Sequence, residues 1–381
     1  MKVTPGSISK RNTGIDILRG LSILSVLLLH FNIRVPFSET YIGSLLPKMW
    51  YSLFFWSGFY GVCVFFVISG FLITTSALNK WESLPQINLR QFYSLRFARI
   101  IPLLVLLLSL LLALHFTQTP GFVINEERTS IWRAVLAALT FHINYLEIQV
   151  GYLPGAWDIL WSLSIEETFY LFFPLVCLFV KSERNFIGFV SLFLLLSPFA
   201  RTQLFEGNEL GDRNHLAYID AIAMGCIAAI VSKRGWLSKK VMPWLAVLGW
   251  AGIIMVFLFR KIIYKAGLTM IGLNVSLLAI GVAMVLIWMQ HRQSTGQQKQ
   301  YAIFRWLSFL GRNSYEVYLT HMFVVVILVS LFKKWGGSGE WTWLLYLLGV
   351  ILSGLLGEAV ARYFSNPLNE ILRKRLIHKT E

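Results

Sequence analysis

Apolar stretches close to the ~20 residues that a helix needs to cross a bilayer recur along the whole chain. They fall at about 15–33, 56–78, 97–116, 159–180, 186–204, 216–232, 241–259, 268–290, 315–332 and 341–361. Each is predicted to be a membrane-spanning helix, because only helices and closed barrels satisfy every backbone group inside lipid. A further stretch, 131–147, is apolar but short and is interrupted by Arg133, His142 and Asn144. No fixed-period repeat and no long polar region interrupts the pattern. The expectation is a single all-α, polytopic membrane domain over 1–381, without a separate soluble domain.

Composition agrees with that pattern. The 381 residues are 56% hydrophobic, with a mean hydropathy of +0.64. The net charge of +15 raises the question of nucleic acid, and its distribution answers it. With ten spans and both termini cytoplasmic, 23 of the 34 Lys and Arg fall inside and 11 outside. If 131–147 also spans, the split inverts to 15 inside and 19 outside. The positive-inside rule selects the first arrangement. The stretch 131–147 is then a short re-entrant or surface helix within an exterior segment, 117–158. The basic balance reflects topology and attraction to anionic lipid head groups, not nucleic acid. Cys63, Cys177 and Cys226 all lie in predicted spans and form no metal-ligand or redox spacing. The basic N-terminus followed by an apolar run resembles a signal peptide, but no small-residue cleavage site follows, so a retained first helix is expected.

Four clusters of polar residues break the apolar spans. In RGLSILSVLLLH, eleven helical steps separate Arg19 from His30. That spacing returns both side chains to nearly one face, roughly 16 Å apart along the axis. Arg19 sits one turn inside the cytoplasmic surface. His30 lies roughly 22 Å in, beyond the middle of the bilayer and about 8 Å from the far side. Ionisable groups at such depth read as functional by default, although helix pairing is the plainer role for a lone histidine. In WSLSIEETFY (161–170), Glu166 and Glu167 lie in a span entered from the exterior. Glu166 is about 10 Å deep by the same arithmetic, level with His30. The two carboxylates point about 100° apart, so only one can face the histidine squarely. In GRNSYEVYLTH (311–321), Tyr315, Tyr318 and His321 recur along one side of a helix, with Glu316 on another face. A polar packing stripe is the plainer reading. In RQFYSLRFARIIP (90–102), Arg96 and Arg99 stand at the cytoplasmic mouth of the third span. Arginine forks suit phosphate oxygens, while topology anchoring is the ordinary role. Ser69 and Gly70, in FFVISGFLIT, read as a close-packing site.

Taken together, the motifs resemble those of the bacterial membrane acyltransferase-3 family. The matching features are Arg19 with ten residues to His30, FFVISGFLI, LRFARIIP, WSLSIEETFY, Asp220 and Gly225 in YIDAIAMG, and GRNSYEVYLTH. Three positions depart from the family's pattern. Ile159 stands where a histidine is common, Tyr218 where an arginine precedes the aspartate, and Ser365 where a glutamate precedes Pro367.

The resemblance implies transfer of an acyl group, most often acetyl from cytoplasmic acetyl-CoA, to a hydroxyl of a cell-surface polysaccharide or its lipid-linked precursor. It implies residence in the bacterial cytoplasmic (inner) membrane, among membrane lipids. On this reading Arg19, Arg96 and Arg99 bind the CoA phosphates and His30 is general base or transient acyl carrier. Glu166 orients the imidazole, and Glu167, Tyr315, Tyr318 and His321 support it, the last three by stabilising the oxyanion or lining the channel. No metal is implied. Many relatives carry an extra hydrolase-like domain. The sequence ends at Glu381 without one, so transfer is expected to finish in the membrane domain or on a partner. The competing readings are a proton-coupled transporter or flippase for a glycan or small acid, an acyltransferase acting on a small hydroxylated metabolite, and a non-catalytic partner in an envelope assembly.

Overall fold

The computed structural model describes residues 11–297, 302–337 and 339–377. These form an all-helical bundle. Its principal helices are α1 (Thr13–Arg34), α2 (Gly58–Trp81), α3 (Leu89–Phe116), α4 (Leu160–Val180), α5 (Glu183–Ser191), α6 (Phe193–Thr202), α7 (Ile219–Arg234), α8 (Met242–Leu258), α9 (Leu273–Ser294), α10 (Ser314–Lys334), α11 (Thr342–Val360) and α12 (Asn366–Ile377). Polar caps set several boundaries. Asn12 accepts from the amides of Gly14 and Ile15, Asn88 from Gln91, and Ser182 from Asn185. Gly235, at φ +63°, closes α7 in the left-handed conformation.

Nine segments among the described residues are long and apolar enough to cross a membrane, against about ten expected. The difference is α7, which has only sixteen residues. The predicted span 216–232 began too early, because 214–218 makes turns before the helix starts. By its contacts α7 nevertheless joins the two ends of the bundle. At its start Asp220 meets Arg201, which also bonds Gly272. At its finish Arg234 donates to the Glu82 carbonyl and pairs with Glu183. The described chain also starts and finishes at one end: Arg11 reaches the Arg312 carbonyl, and Arg373 lies near Lys80. An even number of passes gives that arrangement, and α7 supplies the even member.

Other boundaries shift too. α3 begins eight residues before the expected position, so Arg96 and Arg99 stand two to three turns inside a helix rather than at its start. The stretch 186–204 is two helices that meet at Leu192. The expected single helix near 131–147 is two, Ile131–Leu139 and Ile143–Val150, broken where Phe141 takes φ +56°. The last span runs through a π-helical turn, Ala361–Ser365, into α12.

Close packing holds the centre. A Cβ on Gly70 would lie 2.0 Å from the Ile222 carbonyl oxygen, and one on Gly225 would lie 1.9 Å from that of Val67. Only glycine lets α2 and α7 approach backbone to backbone in this way. Large apolar side chains such as Phe179, Leu195 and Trp244 point outward. In a bilayer that outer surface meets lipid rather than water.

Candidate active site

Five helices contribute to one cavity of about 250 Å³. α1 brings Arg19, α2 brings Ser69, α3 brings Arg96 and Arg99, α4 brings Glu166 and Glu167, and α10 brings Tyr315 and Tyr318. The three arginines singled out in the sequence therefore converge, though α1 and α3 are far apart along the chain.

Their surroundings differ. Arg19 Nε donates to Ser314 Oγ at 3.0 Å. Arg99 lies 3.0 Å from the carboxylate of Glu316, whose side chain is 1% exposed, and its guanidinium stands 4.9 Å from the centre of the Tyr315 ring. Arg96 stands 4.3 Å over the Tyr170 ring, and among the described residues no carboxylate lies within ion-pair distance of it. Arg96 is thus the guanidinium with most bonding capacity left for an incoming anion. A flat ring beneath a guanidinium orients it while leaving its in-plane donors open.

Both glutamates border this cavity. Glu166 lies beside the Ser69 hydroxyl, which also contacts the Tyr170 hydroxyl. No hydrogen bond or ion pair joins Glu166 to His30 among the described residues. Equal depth in the sequence arithmetic therefore does not translate into contact: α4 turns Glu166 toward α2 and the arginines, away from the imidazole on α1.

His30 instead faces His321. The ring centres are 5.1 Å apart with planes tilted by 49°. His321 is fully buried, and its Nδ1 lies 2.6 Å from the Tyr318 carbonyl oxygen. The Tyr318 ring, which lines the cavity, is 5.8 Å from the His321 ring. Tyr318 is the step between the arginine cavity and the histidine pair.

The expected oxyanion donors on α10 are committed elsewhere. Tyr315 donates its hydroxyl hydrogen to the Ile100 carbonyl at 3.3 Å, and Tyr318 donates to the Ile159 carbonyl at 3.0 Å. The Ser162 hydroxyl, 2.7 Å from the Tyr318 oxygen, is left to donate to it. His321 spends its Nδ1–H on the Tyr318 carbonyl. A hydroxyl has one hydrogen to give, and in this structure those of Tyr315 and Tyr318, which line the cavity, go to backbone carbonyls.

Several polar residues escaped the sequence reading. Ser69 was read only as a packing residue, and Glu316 was placed on a different face although it pairs with Arg99. Toward the opposite end, Arg213 bridges Glu147 at 2.8 Å and Asp158. Burial and the nearby Asp158 push the Glu147 carboxyl well above the usual range, against the pull of Arg213. Arg34 bonds the His30 carbonyl at 2.9 Å. Asp220, preceded by Tyr218 rather than a nearby arginine, gets its guanidinium from Arg201 on α6, through bonds of 2.9 and 2.8 Å. An arginine within the predicted span 186–204, near its exterior end, was the available signal, but its partner was not legible.

Comparison with known proteins decides the family. The acyltransferase-3 model, described as an acyltransferase domain, matches residues 12–362. The chain belongs to the acyltransferase-3 family. The match spans α1 to α11, so every acyltransferase-3 helix that borders the cavity, and both histidines, lie inside it. The chain is 26% identical over 383 residues to O-acetyltransferase OatA of Staphylococcus aureus (strain NCTC 8325 / PS 47), covering 94% of this chain and 57% of that protein. It is 24% identical over 380 residues to the putative O-acetyltransferase SACOL0978 of Staphylococcus aureus (strain COL), with the same coverage. The chain thus spans little more than half the length of these curated relatives. No solved structure matches.

Proposed function

We propose that this protein is a membrane O-acetyltransferase that takes acetyl from cytoplasmic acetyl-CoA and esterifies a hydroxyl of a surface polysaccharide or its lipid-linked precursor, in a bacterial cytoplasmic membrane. The observation that carries the reading is the convergence of Arg19, Arg96 and Arg99 on one cavity that Tyr318 connects to His30 and His321. The names of the similar proteins, an O-acetyltransferase and a putative one, support the acetyl choice.

The chemistry follows from that arrangement. The arginines receive the CoA phosphates, since charge-assisted, forked bonds are the strong ones for such groups. The thioester end passes Tyr318 toward His30. The acceptor hydroxyl arrives from the other side of the bundle, and its oxygen attacks the thioester carbonyl carbon. His30 takes the hydroxyl proton, the carbon–sulfur bond breaks, and CoA leaves as the thiolate on the cytoplasmic side. Glu166 and Glu167 keep the cationic cavity near electrical balance.

The test uses inverted membrane vesicles supplied with acetyl-labelled acetyl-CoA, with label counted in the glycan fraction, for wild type, His30→Ala and vesicles without the protein. Label dependent on wild type and lost in a correctly inserted His30→Ala supports the reading. Full transfer by His30→Ala refutes the mechanism. Label found in a small soluble product instead assigns a metabolite acceptor, and proton-coupled movement of a solute without release of CoA assigns a transporter.

A further inference from the structure

A buried histidine base normally has its second nitrogen held by an orienting acceptor, which selects the tautomer and the ring angle. In the sequence that role fell to Glu166, which borders the arginine cavity instead. The groups around His30 are few. Arg34, on its own helix, bonds only its backbone carbonyl, and Arg213 approaches from the loop before α7. Both are cations and cannot accept a hydrogen bond. Among the described residues no carboxylate bonds to His30. The ring that faces it is His321.

The state of His321 follows from one contact. A carbonyl oxygen can only accept, so the atom 2.6 Å from the Tyr318 oxygen, Nδ1, must carry the hydrogen. A neutral imidazole protonated at Nδ1 has a bare lone pair at Nε2. That Nε2 is buried and has no hydrogen-bond partner. Buried polar atoms without partners are rare and call for an explanation. The His30 ring provides one. With centres 5.1 Å apart, facing nitrogens of the two rings can approach to about 3 Å, a hydrogen-bond distance, on a small rotation of the half-buried His30.

We propose that His321 is the positioning residue for His30: its bare Nε2 accepts the ring N–H of His30 and thereby leaves the other His30 nitrogen free as the base. The chain Tyr318 carbonyl, His321, His30 then runs in one direction, each member donating to the one before. Every hydrogen on it is assigned by the backbone carbonyl at its origin. The same assignment removes His321 as an oxyanion donor, since its Nε2 has no hydrogen to give. This inference rests on the acyl-transfer reading for its kinetic consequences, but the tautomers themselves do not depend on it.

Two measurements test it. In the vesicle assay with labelled acetyl-CoA, His321→Ala is expected to lower kcat by about 10- to 100-fold, the usual cost of losing an orienting partner, with KM for acetyl-CoA within about twofold. His321→Gln places an amide oxygen near the Nε2 position, restores an acceptor without restoring a base, and is expected to recover most of the rate. Ring-nitrogen NMR on protein labelled with ¹⁵N-histidine, assigned by comparing His30→Ala and His321→Ala, is expected to show His321 as the neutral Nδ1–H tautomer. It should also show His30 as one tautomer in wild type and a mixture in His321→Ala. Wild-type kcat in His321→Ala, equal losses in the Ala and Gln variants, or an Nε2–H tautomer at His321 would each overturn the proposal. If wild-type vesicles transfer no label, the acyl-transfer reading fails, and the tautomer spectrum still decides the histidine pair.

Discussion

Arg96→Gln isolates the donor-binding half of the proposed reaction. The guanidinium lies 4.3 Å over Tyr170, and among the described residues no carboxylate is within ion-pair distance of it, although Glu166 and Glu167 border the same cavity. The bonds with the incoming phosphate are the main loss, beside the contact with the Tyr170 ring. A hydrogen bond to a charged group contributes roughly 1.5–3 kcal/mol, so KM for acetyl-CoA should rise about 10- to 150-fold with little change in kcat. Arg96→Lys keeps the charge but gives up the planar fork and its stacking on Tyr170, and should fall between. Arg99→Gln is the informative contrast. It strands Glu316, 1% exposed and 3.0 Å from the lost cation. Breaking a buried pair from one side costs about 3–5 kcal/mol, so this variant should lose thermal stability in detergent before its KM can be read. Initial rates against acetyl-CoA concentration, alongside melting curves for the purified proteins, separate the two effects. Unchanged KM in a stable, inserted Arg96→Gln would refute the assignment of this cavity to the CoA phosphates.

Two further outcomes concern the scaffold. Gly225→Ala places a methyl group 1.9 Å from the Val67 carbonyl, and rigid backbone overpacking costs about 1–3 kcal/mol or more, so the melting temperature should drop clearly. Gly188→Ala, with open space at the site, should leave melting unchanged, and equal behaviour of the two would contradict the α2–α7 contact. At the exterior segment, burial lowers the His215 imidazole below its ordinary value of 6.5. The folded state therefore prefers neutral His215, a contribution complete above pH 6.5 that disappears as pH falls toward the lowered value. Melting temperature should decline between pH 7 and 5, and His215→Gln should flatten the decline. An unchanged slope in that variant would remove His215 as the cause.

Hydropathy made the helices legible because a bilayer imposes a length and a composition that each span must satisfy locally. It could not mark where a helix breaks inside an apolar run. Leu192, between α5 and α6, has no adjacent glycine or proline to announce it. The turns at 214–218 carry Ala217 and Tyr218, residues as apolar and as buried as those of α7 itself. The Asn88 cap of α3 went unread, because polar and basic residues dominate the first turns after it. At the site, buried ionisable residues stood out against their apolar surroundings, and Arg19, Arg96 and Arg99 did come together. Pairings were not legible. Arg99 with Glu316 and Arg201 with Asp220 depend on how helices rotate against neighbours, and depth along an axis carries no information about rotation. Glu166 shows the same limit: its level was calculable and its direction was not.

The separation of charge along the site has a physical consequence for how acetyl would cross. CoA carries several phosphate charges, and an isolated charge inside the bilayer is expensive. The bundle does not ask those charges to travel. It gathers three guanidinium groups in one cavity, balances them with Glu166, Glu167 and Glu316, and places the histidine pair beyond Tyr318. Between Tyr318 and His321 the polar groups that touch one another are neutral: hydroxyls of Tyr318 and Ser162, backbone carbonyls, and the His321 ring with its hydrogen committed; the nearest cation, Arg34, bonds the His30 backbone carbonyl rather than its ring. A neutral thioester end can enter that passage at a cost far below that of a phosphate. On the proposed mechanism, the eleven helical steps from Arg19 to His30 on α1 would measure how far the acyl group moves while the charged part of its carrier stays behind. Adding a charge at the inner wall of the cavity, where Ser162 meets Tyr318, as in Ser162→Asp, should therefore lower transfer far more than it weakens CoA binding by titration calorimetry. Loss of both together would mean that the passage and the phosphate site are not separate.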